Sequence, residues 1–493
     1  MKNMKIQMLA ALLLAGAAFT ACSNDDNAIE ADSQSANATG KYILTVSATK
    51  GGDATQTRAL QEGTSRINAL WTENDQVEVY DADEHLLGTL TATFVASDRK
   101  LCKFTGPITF VTEPVVNTTT LTLKYNKPYY GNQDGTLTGS ETSIDKTCDY
   151  AVATVTVSQV NGTTVITTTA SFENQQAIVN FSLLKNNTEK INVKALKIAD
   201  GTNYYNVTLA TPQTDNIYVA MKAIDSKPVT VIAYDNDGNF YKYTKANVTL
   251  ESGKYYYTSS WMMTAVAAHD ADDYVDLGLT SGTKWAKRNV GATNETDYGT
   301  YFAWGEVMGY TSDTDYDKTA FTEGDYFWGN GSLSTLTKYC SNSEYGYHGF
   351  TDTKTTLDVM DDAAAANWGG AWRMPTKAQI EELTNTFNTG DVTEEKKWKW
   401  EWQTDYNSSG HAGWLITYYS NAQATTPSTS LFLPAAGWRS LWSLRYRGSI
   451  GWYWSAALNE DYPDGAWGLF FNSNYAYVNG RGRFYGQSVR AVK

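Results

Sequence analysis

Histidine is nearly missing from this chain of 493 residues: His85, His269, His348 and His411 are the whole set, and they lie far apart. None has the spacing of a zinc ligand pair. No Gly-x-Ser-x-Gly elbow accompanies them, so neither metal-assisted hydrolysis nor a serine triad has support in the sequence. Cysteine is as scarce, with Cys22, Cys102, Cys148 and Cys340 only. The last three are an odd number, so in an oxidising compartment at least one stays unpaired. A Cys102–Cys148 bridge and buried free thiols are both open readings. Basic clusters are lacking too. With 39 Lys and Arg against 53 Asp and Glu the net charge is −14, which argues against nucleic acid as a partner. Nothing in the sequence implies a cofactor.

One calcium-like run fails as an EF-hand, and a looser calcium site on the same acids stays an open reading. Asp313, Asp315 and Asp317 stand at positions 1, 3 and 5 of a calcium loop, but position 6 is Lys318 and position 12 is Gly324. The turn glycine and the bidentate glutamate of an EF-hand are therefore both absent.

Long apolar runs are confined to the N-terminus. Lys2 and Lys5 precede an apolar stretch from Met8 to Phe19, and Thr20-Ala21 stand before Cys22. Residues 1–21 thus read as a signal peptide rather than as fold. The cysteine at the cleavage point resembles a bacterial lipoprotein signal, which implies acylation of Cys22. Ser23-Asn24-Asp25-Asp26 resembles the acidic tag that sends such lipoproteins to the outer face of the outer membrane. Several acyl chains anchor stably where one is marginal. Residues 22–40 are polar and small, a flexible tether.

Helical periodicity is nearly absent from residues 41–266. Apolar residues alternate instead at Tyr42, Leu44 and Val46, at Val77 and Val79, at Leu121, Leu123 and Tyr125, and at Val155 and Val157. That is the pattern of half-buried strands. Asp235-Asn236-Asp237-Gly238-Asn239 between two apolar runs reads as a hairpin. Length predicts two β-sandwiches, 41–150 and 151–266.

Three segments carry a resemblance here: Leu70 to Tyr80 (LWTENDQVEVY), Gln176 to Phe181 (QAIVNF) and Val248 to Tyr256 (VTLESGKYY). They resemble the fimbrillin superfamily of major and minor fimbrial subunits. The resemblance implies tandem transthyretin-like sandwiches and partnership with other fimbrial subunits through a donated strand. It also implies release from lipid by cleavage after an arginine near the first strand. Arg58 and Arg66 are the candidates, and an uncut surface loop is the alternative.

Residues 267–273 read as a polar linker, and beyond them composition shifts. Fourteen of the 16 tryptophans lie after residue 270. Loops rich in Trp, Tyr and Gly hold together by aromatic packing, since each ring buries about 150–250 Å². At the centre stands Asn367-Trp-Gly-Gly-Ala-Trp-Arg-Met-Pro-Thr376. Thr376 and Gln379 have capping-box spacing, which predicts a short helix from Lys377 to about Phe387.

Tyr274 to Leu279 (YVDLGL), Tyr301 to Glu306 (YFAWGE), Leu431 to Gly437 (LFLPAAG), Tyr453-Trp454-Ser455 and Ser488 to Val492 (SVRAV) flank that centre in order. Together they resemble the Fibrobacter succinogenes major paralogous domain, here 274–493. The resemblance implies a C-type-lectin-like α+β fold and no defined activity. Formylglycine-generating enzymes share that wider fold and need active-site cysteines, of which this region offers only Cys340. The Glu-Pro-Asn-type motif of calcium-dependent lectins is absent as well.

Two aromatic clusters remain. Trp398, Trp400 and Trp402 alternate as on one strand face. Trp438, Arg439, Trp442, Arg445, Tyr446 and Arg447 follow the Pro-Ala-Ala-Gly turn. Indole faces stack on sugar rings, and guanidinium supplies planar polar recognition. The same residue types anchor protein interfaces. Trp285, Trp304, Trp368, Trp372 and Trp454, inside the shared motifs, are expected in the core. The sequence thus reads as a non-enzymatic surface lipoprotein adhesin, in which a fimbrillin-like stalk presents a lectin-like domain to a host or dietary glycan or glycoprotein. The alternative is an accessory or tip fimbrial subunit that binds no glycan.

Overall fold

The computed structural model describes residues 40–50, 61–62, 67–68, 70–126, 130, 132–258, 261–312, 315–316, 318 and 320–493. The leader, Cys22, the tether up to residue 39, Arg58, Arg66, Asp313 and Asp317 lie outside the described residues. Among those described, no helix is long and apolar enough to cross a membrane.

The chain is mainly β, with many small sheets and few helices. The first sheet has eight strands, and its Leu101–Phe110 strand also pairs with Gly40–Lys50, so the sheet curls back on itself. The alternation read from the sequence holds here: Leu44, Val46, Val77, Val79, Leu121 and Leu123 all point into the enclosed core. Trp71 sits at its centre, edge-on to Phe104, Tyr125 and Phe172.

The second core lies between a three-stranded sheet centred on Ala177–Phe181 and a six-stranded sheet containing Val193–Ala199, Tyr204–Gln213, Ile224–Asp235 and Phe240–Leu250. The hairpin expected at 235–239 joins the last two of these strands, and Gly238 turns the chain at φ 91°.

The division of 41–150 from 151–266 does not match the sheets. Ala151–Asn161 pairs with Thr120–Tyr125, and the short strands 164–167 and 170–174 run parallel to Gly40–Lys50, so all three complete the first sheet. Asn132–Gln133, by contrast, pairs with the second sheet. The chain therefore crosses over after Tyr125, returns at Ala151 and crosses for good before Ala177. Sheet membership follows hydrogen-bond partners distant in sequence, and local alternation carries no record of them.

Cys102 packs in the first core, whereas Cys148 packs with Leu137, Ile144 and Ile178 in a separate cluster. The Cys102–Cys148 bridge accordingly does not form. Burial pushes the Cys148 thiol up to about 12, which leaves it inert.

The C-terminal region combines two three-stranded sheets, several hairpins and two short helices, Ala363–Trp368 and Lys377–Asn385. Asp362 caps the first helix, its carboxylate accepting from the Ala364 and Ala365 amides. The predicted capping box of Thr376 and Gln379 caps the second, with Ile380 and Leu383 buried beneath. Trp285, Trp304, Trp368, Trp372 and Trp454 are all buried, as expected for core rings.

The predicted linker is packed. His269 stacks on Trp368 at 3.9 Å between ring centres and pairs with Asp273 at 2.7 Å. The C-terminal region then docks on the second sheet. Ala199, Ile232 and Phe240 meet Val307, Met308, Ala365 and Ala366 in one apolar cluster. Beside it, Lys197 from the sheet pairs with Asp361, a carboxylate with no solvent exposure. A second buried pair, Lys318 with Glu306 at 2.7 Å, lies nearby, and Lys318 bridges to Gly201 of the sheet side.

Candidate functional site

Trp438–Ser440 and Ser443–Arg445 form a tight hairpin in register Trp438↔Arg445, Arg439↔Leu444 and Ser440↔Ser443. The loop between them is only Leu441-Trp442, and Leu441 sits at φ 56°. Two-residue hairpin loops favour Gly or Asn at such a position, so leucine there is strained. Tyr446 just beyond is likewise at φ 55°.

The surroundings hold this shape from two sides. Arg439 exchanges backbone hydrogen bonds with Gly486 at 2.7 and 3.0 Å, and Leu441 does so with Phe321 at 2.9 and 3.0 Å. Gly437 leads into the hairpin at φ 66°, where an added Cβ would stand 2.1 Å from the Arg445 carbonyl oxygen. Gly437→Ala is therefore expected to cost about 1–3 kcal/mol and to displace the hairpin. Denaturant unfolding reads the loss, and the near-UV circular dichroism of the tryptophans reads the displacement.

What the clamped hairpin presents is aromatic. Trp442 is 69% exposed and Tyr446 60%, the most open large rings of this segment.

Five of the six residues singled out in the sequence line clefts on two faces of the hairpin, and Trp442 at its tip lines neither. Strand alternation sends Arg439 to one side and Trp438 and Arg445 to the other. On the first side is a cleft of about 900 Å³ lined by Tyr298, Tyr310, His411, Arg439, Tyr446 and Arg447, among others. On the second is a cleft of about 510 Å³ lined by Trp438, Arg445, Tyr446, Arg481 and Tyr485. Tyr446 forms the ridge between them, stacked on Trp438 at 4.9 Å and 21°.

Both clefts keep cations against rings. The Arg439 guanidinium lies 3.4 Å from the Tyr310 ring centre, and Arg447 lies 5.7 Å from that of Tyr298. Arg481 is set among Trp438, Trp452 and Tyr485 at 4.7, 5.3 and 4.5 Å. Burial draws the Arg481 cation below its usual range, though guanidinium stays charged at any ordinary pH.

Arg481, Tyr485, Tyr298, Tyr310 and His411 were not singled out in the sequence. Arg481 alternates with glycines in Gly480-Arg481-Gly482-Arg483, a pattern that hints at aimed side chains. Tyr298 stands in Asp297-Tyr298-Gly299, a run that fits the C-terminal resemblance but marks no site, and Tyr310 and Tyr485 gave no local signal.

The other cluster is core. Trp400 is buried, with its Nε1 donating to Thr386 at 3.0 Å, and Trp398 and Trp402 pack around Trp414 and Tyr418. His85 sits with Asp81 and Asp83 in an exposed group, but Asp81 there accepts the Asp83 and His85 amides, which is ordinary turn bonding.

No family model matches the chain, and no curated protein matches it. Among solved structures it is similar to a fimbrial assembly protein from Parabacteroides distasonis, at 13% identity over 44% of this chain and 90% of that one, with a TM-score of 0.26. It is also similar to a shaft pilin, SpaA from Lactobacillus rhamnosus GG, at 8% identity over 46% of this chain and 97% of that one, with a TM-score of 0.20.

Proposed function

We propose that this chain is a surface adhesin, lipid-anchored through Cys22 at the outer membrane, whose C-terminal region grips a glycan or glycoprotein without making or breaking bonds. The observation that carries the reading is the strained hairpin, clamped by Gly486 and Phe321, that exposes Trp442 at its tip and Tyr446 between two arginine-lined clefts. Rigid aromatic anchors beside planar cations suit saccharide faces, and they lose little conformational freedom on binding. The fimbrillin-like and lectin-like resemblances of the sequence favour the same role. Buried contacts across the second sheet make the grip and its support one unit, so a load on the ligand passes directly into the β-rich region.

The test is a glycan and mucin binding screen on the full mature chain. The double change Trp442→Ala with Arg445→Ala is expected to weaken binding while unfolding stability stays within about 0.5 kcal/mol, since both side chains are exposed. Equal loss of binding and stability would place them in the core instead. Turnover of a small substrate by the chain would overturn the reading.

A further inference from the structure

We propose that the cleft holding Arg439 and Arg447 takes the carboxylate of an acidic sugar, a uronic or nonulosonic acid, as its specificity-determining contact. This rests on the adhesin reading above and adds the chemical class of ligand. Arg439 is only 6% exposed, yet no carboxylate pairs with it among the described residues. Its side chain makes a single hydrogen bond, Nη2 to the Trp442 carbonyl oxygen at 3.1 Å, and its Nε is buried with no partner. A guanidinium withdrawn from water without an anion is costly. Among the described residues no carboxylate comes within ion-pair distance to offset it.

The rest of the cleft agrees. Arg447 lines the same space and also has no ion pair among the described residues. His411 contributes a buried Nδ1 without a partner and leans on Tyr298 at 4.5 Å. Asp297 is the one carboxylate among the described residues of the lining, and its Oδ2 is held by the Thr293 and Asn294 amides at 3.2 and 2.8 Å. Two arginines thus outnumber one acid in the described lining. An incoming carboxylate would supply the missing counter-charge through short charge-assisted hydrogen bonds, while Tyr298 and Tyr446 offer faces to the ring. A sulfate ester shares the anionic chemistry and can also meet the guanidinium fork through two oxygens, so it is the competing anion in the test.

The experiment uses the full chain and four probes by titration calorimetry: N-acetylneuraminic acid, glucuronic acid, galactose 3-sulfate and galactose. The acids are expected to bind at least about tenfold more tightly than galactose, with affinity falling as salt rises from about 0.05 to about 0.5 M. Arg447→Gln, on an exposed residue, is expected to remove that preference with an unchanged melting temperature. Arg439→Lys, which keeps the charge and loses the fork, is expected to weaken the carboxylates at least about fivefold. Equal binding of acids and galactose, or a preference untouched by Arg447→Gln, would overturn the proposal and leave the adhesin reading standing. Binding of the sulfate alone would overturn the carboxylate assignment. Silence from every saccharide, including the screen above, would overturn both.

Discussion

Asp361→Ala is expected to destabilise the protein by about 3–5 kcal/mol, the cost of stripping one partner from a buried charge cluster. Asp361 has no solvent exposure, and its carboxylate serves Lys197, Lys338 at 2.6 Å and the Tyr339 hydroxyl at 2.5 Å. Lys197 belongs to the second sheet and lies 164 positions away, so the loss falls on the contact that docks the C-terminal region. Removing the acid leaves the buried Lys197 ammonium without a counter-charge, while Lys338 keeps only Asp358. The loss should appear in the unfolding transition of the docked unit, followed by tryptophan fluorescence in denaturant. Asp358→Ala, which touches Lys338 and Lys354 from a half-exposed position, should cost much less.

The same cluster sets a pH dependence. Burial raises the Asp361 carboxyl, but Lys197 and Lys338 draw it further the other way, and it ends below its usual range. Burial brings Lys197 down to about 8, so the pair is charged at neutral pH. A depressed carboxyl contributes stability above the unfolded value, near 3.9, and loses it as pH falls through the folded one. The stability gap between the native chain and Asp361→Asn should therefore be full at pH 5–7 and narrow below about pH 4. A gap that stays constant down to pH 2 would contradict the assignment.

Trp304→Ala should cost a similar amount, about 3–5 kcal/mol, for a different reason. The Trp304 ring is fully buried, its Nε1 donates to the Ser455 carbonyl at 2.8 Å, and the Tyr339 ring meets it edge-on at 5.2 Å. The Arg483 guanidinium lies 4.9 Å from its centre and itself donates to three backbone carbonyls and the Tyr326 hydroxyl. Deleting the ring opens a cavity that these pinned loops cannot close. Trp442→Ala, in the same region, should change stability by no more than about 0.5 kcal/mol. Paired urea titrations check the contrast; comparable losses for both would mean that Trp442 is a packing residue.

That contrast shows how far residue type alone reaches. Tryptophans look alike in composition, but those inside the shared motifs are buried, whereas in the segment 438–452 Trp452 is buried, Trp438 half-buried and Trp442 open. The alternation in Trp398, Trp400 and Trp402 is real, and its face turns inward against Trp414 rather than outward. A period says which residues share a face; only the neighbouring layer says whether that face is covered.

The site was legible in part. Trp438 to Arg447 were found as a cluster because aromatic and arginine residues crowd there. Their division between two clefts follows the register of the hairpin. The partners Tyr298, Tyr310, His411 and Arg481 arrive from elements up to 140 residues away, and only the glycines around Arg481 left a local hint.

Local chemistry needed no structure: alternation set the strands, Thr376 and Gln379 set a helix start, and the Asp235–Asn239 run set a turn, because each depends on atoms a few residues apart. Strand partners, the crossing of the chain between its two β cores, the burial of Lys197 against Asp361 and the aim of Arg439 were decided only by the tertiary structure. Those depend on surfaces brought together from distant segments, where hydrogen-bond pairing and exclusion of water act on proximity in space rather than in sequence.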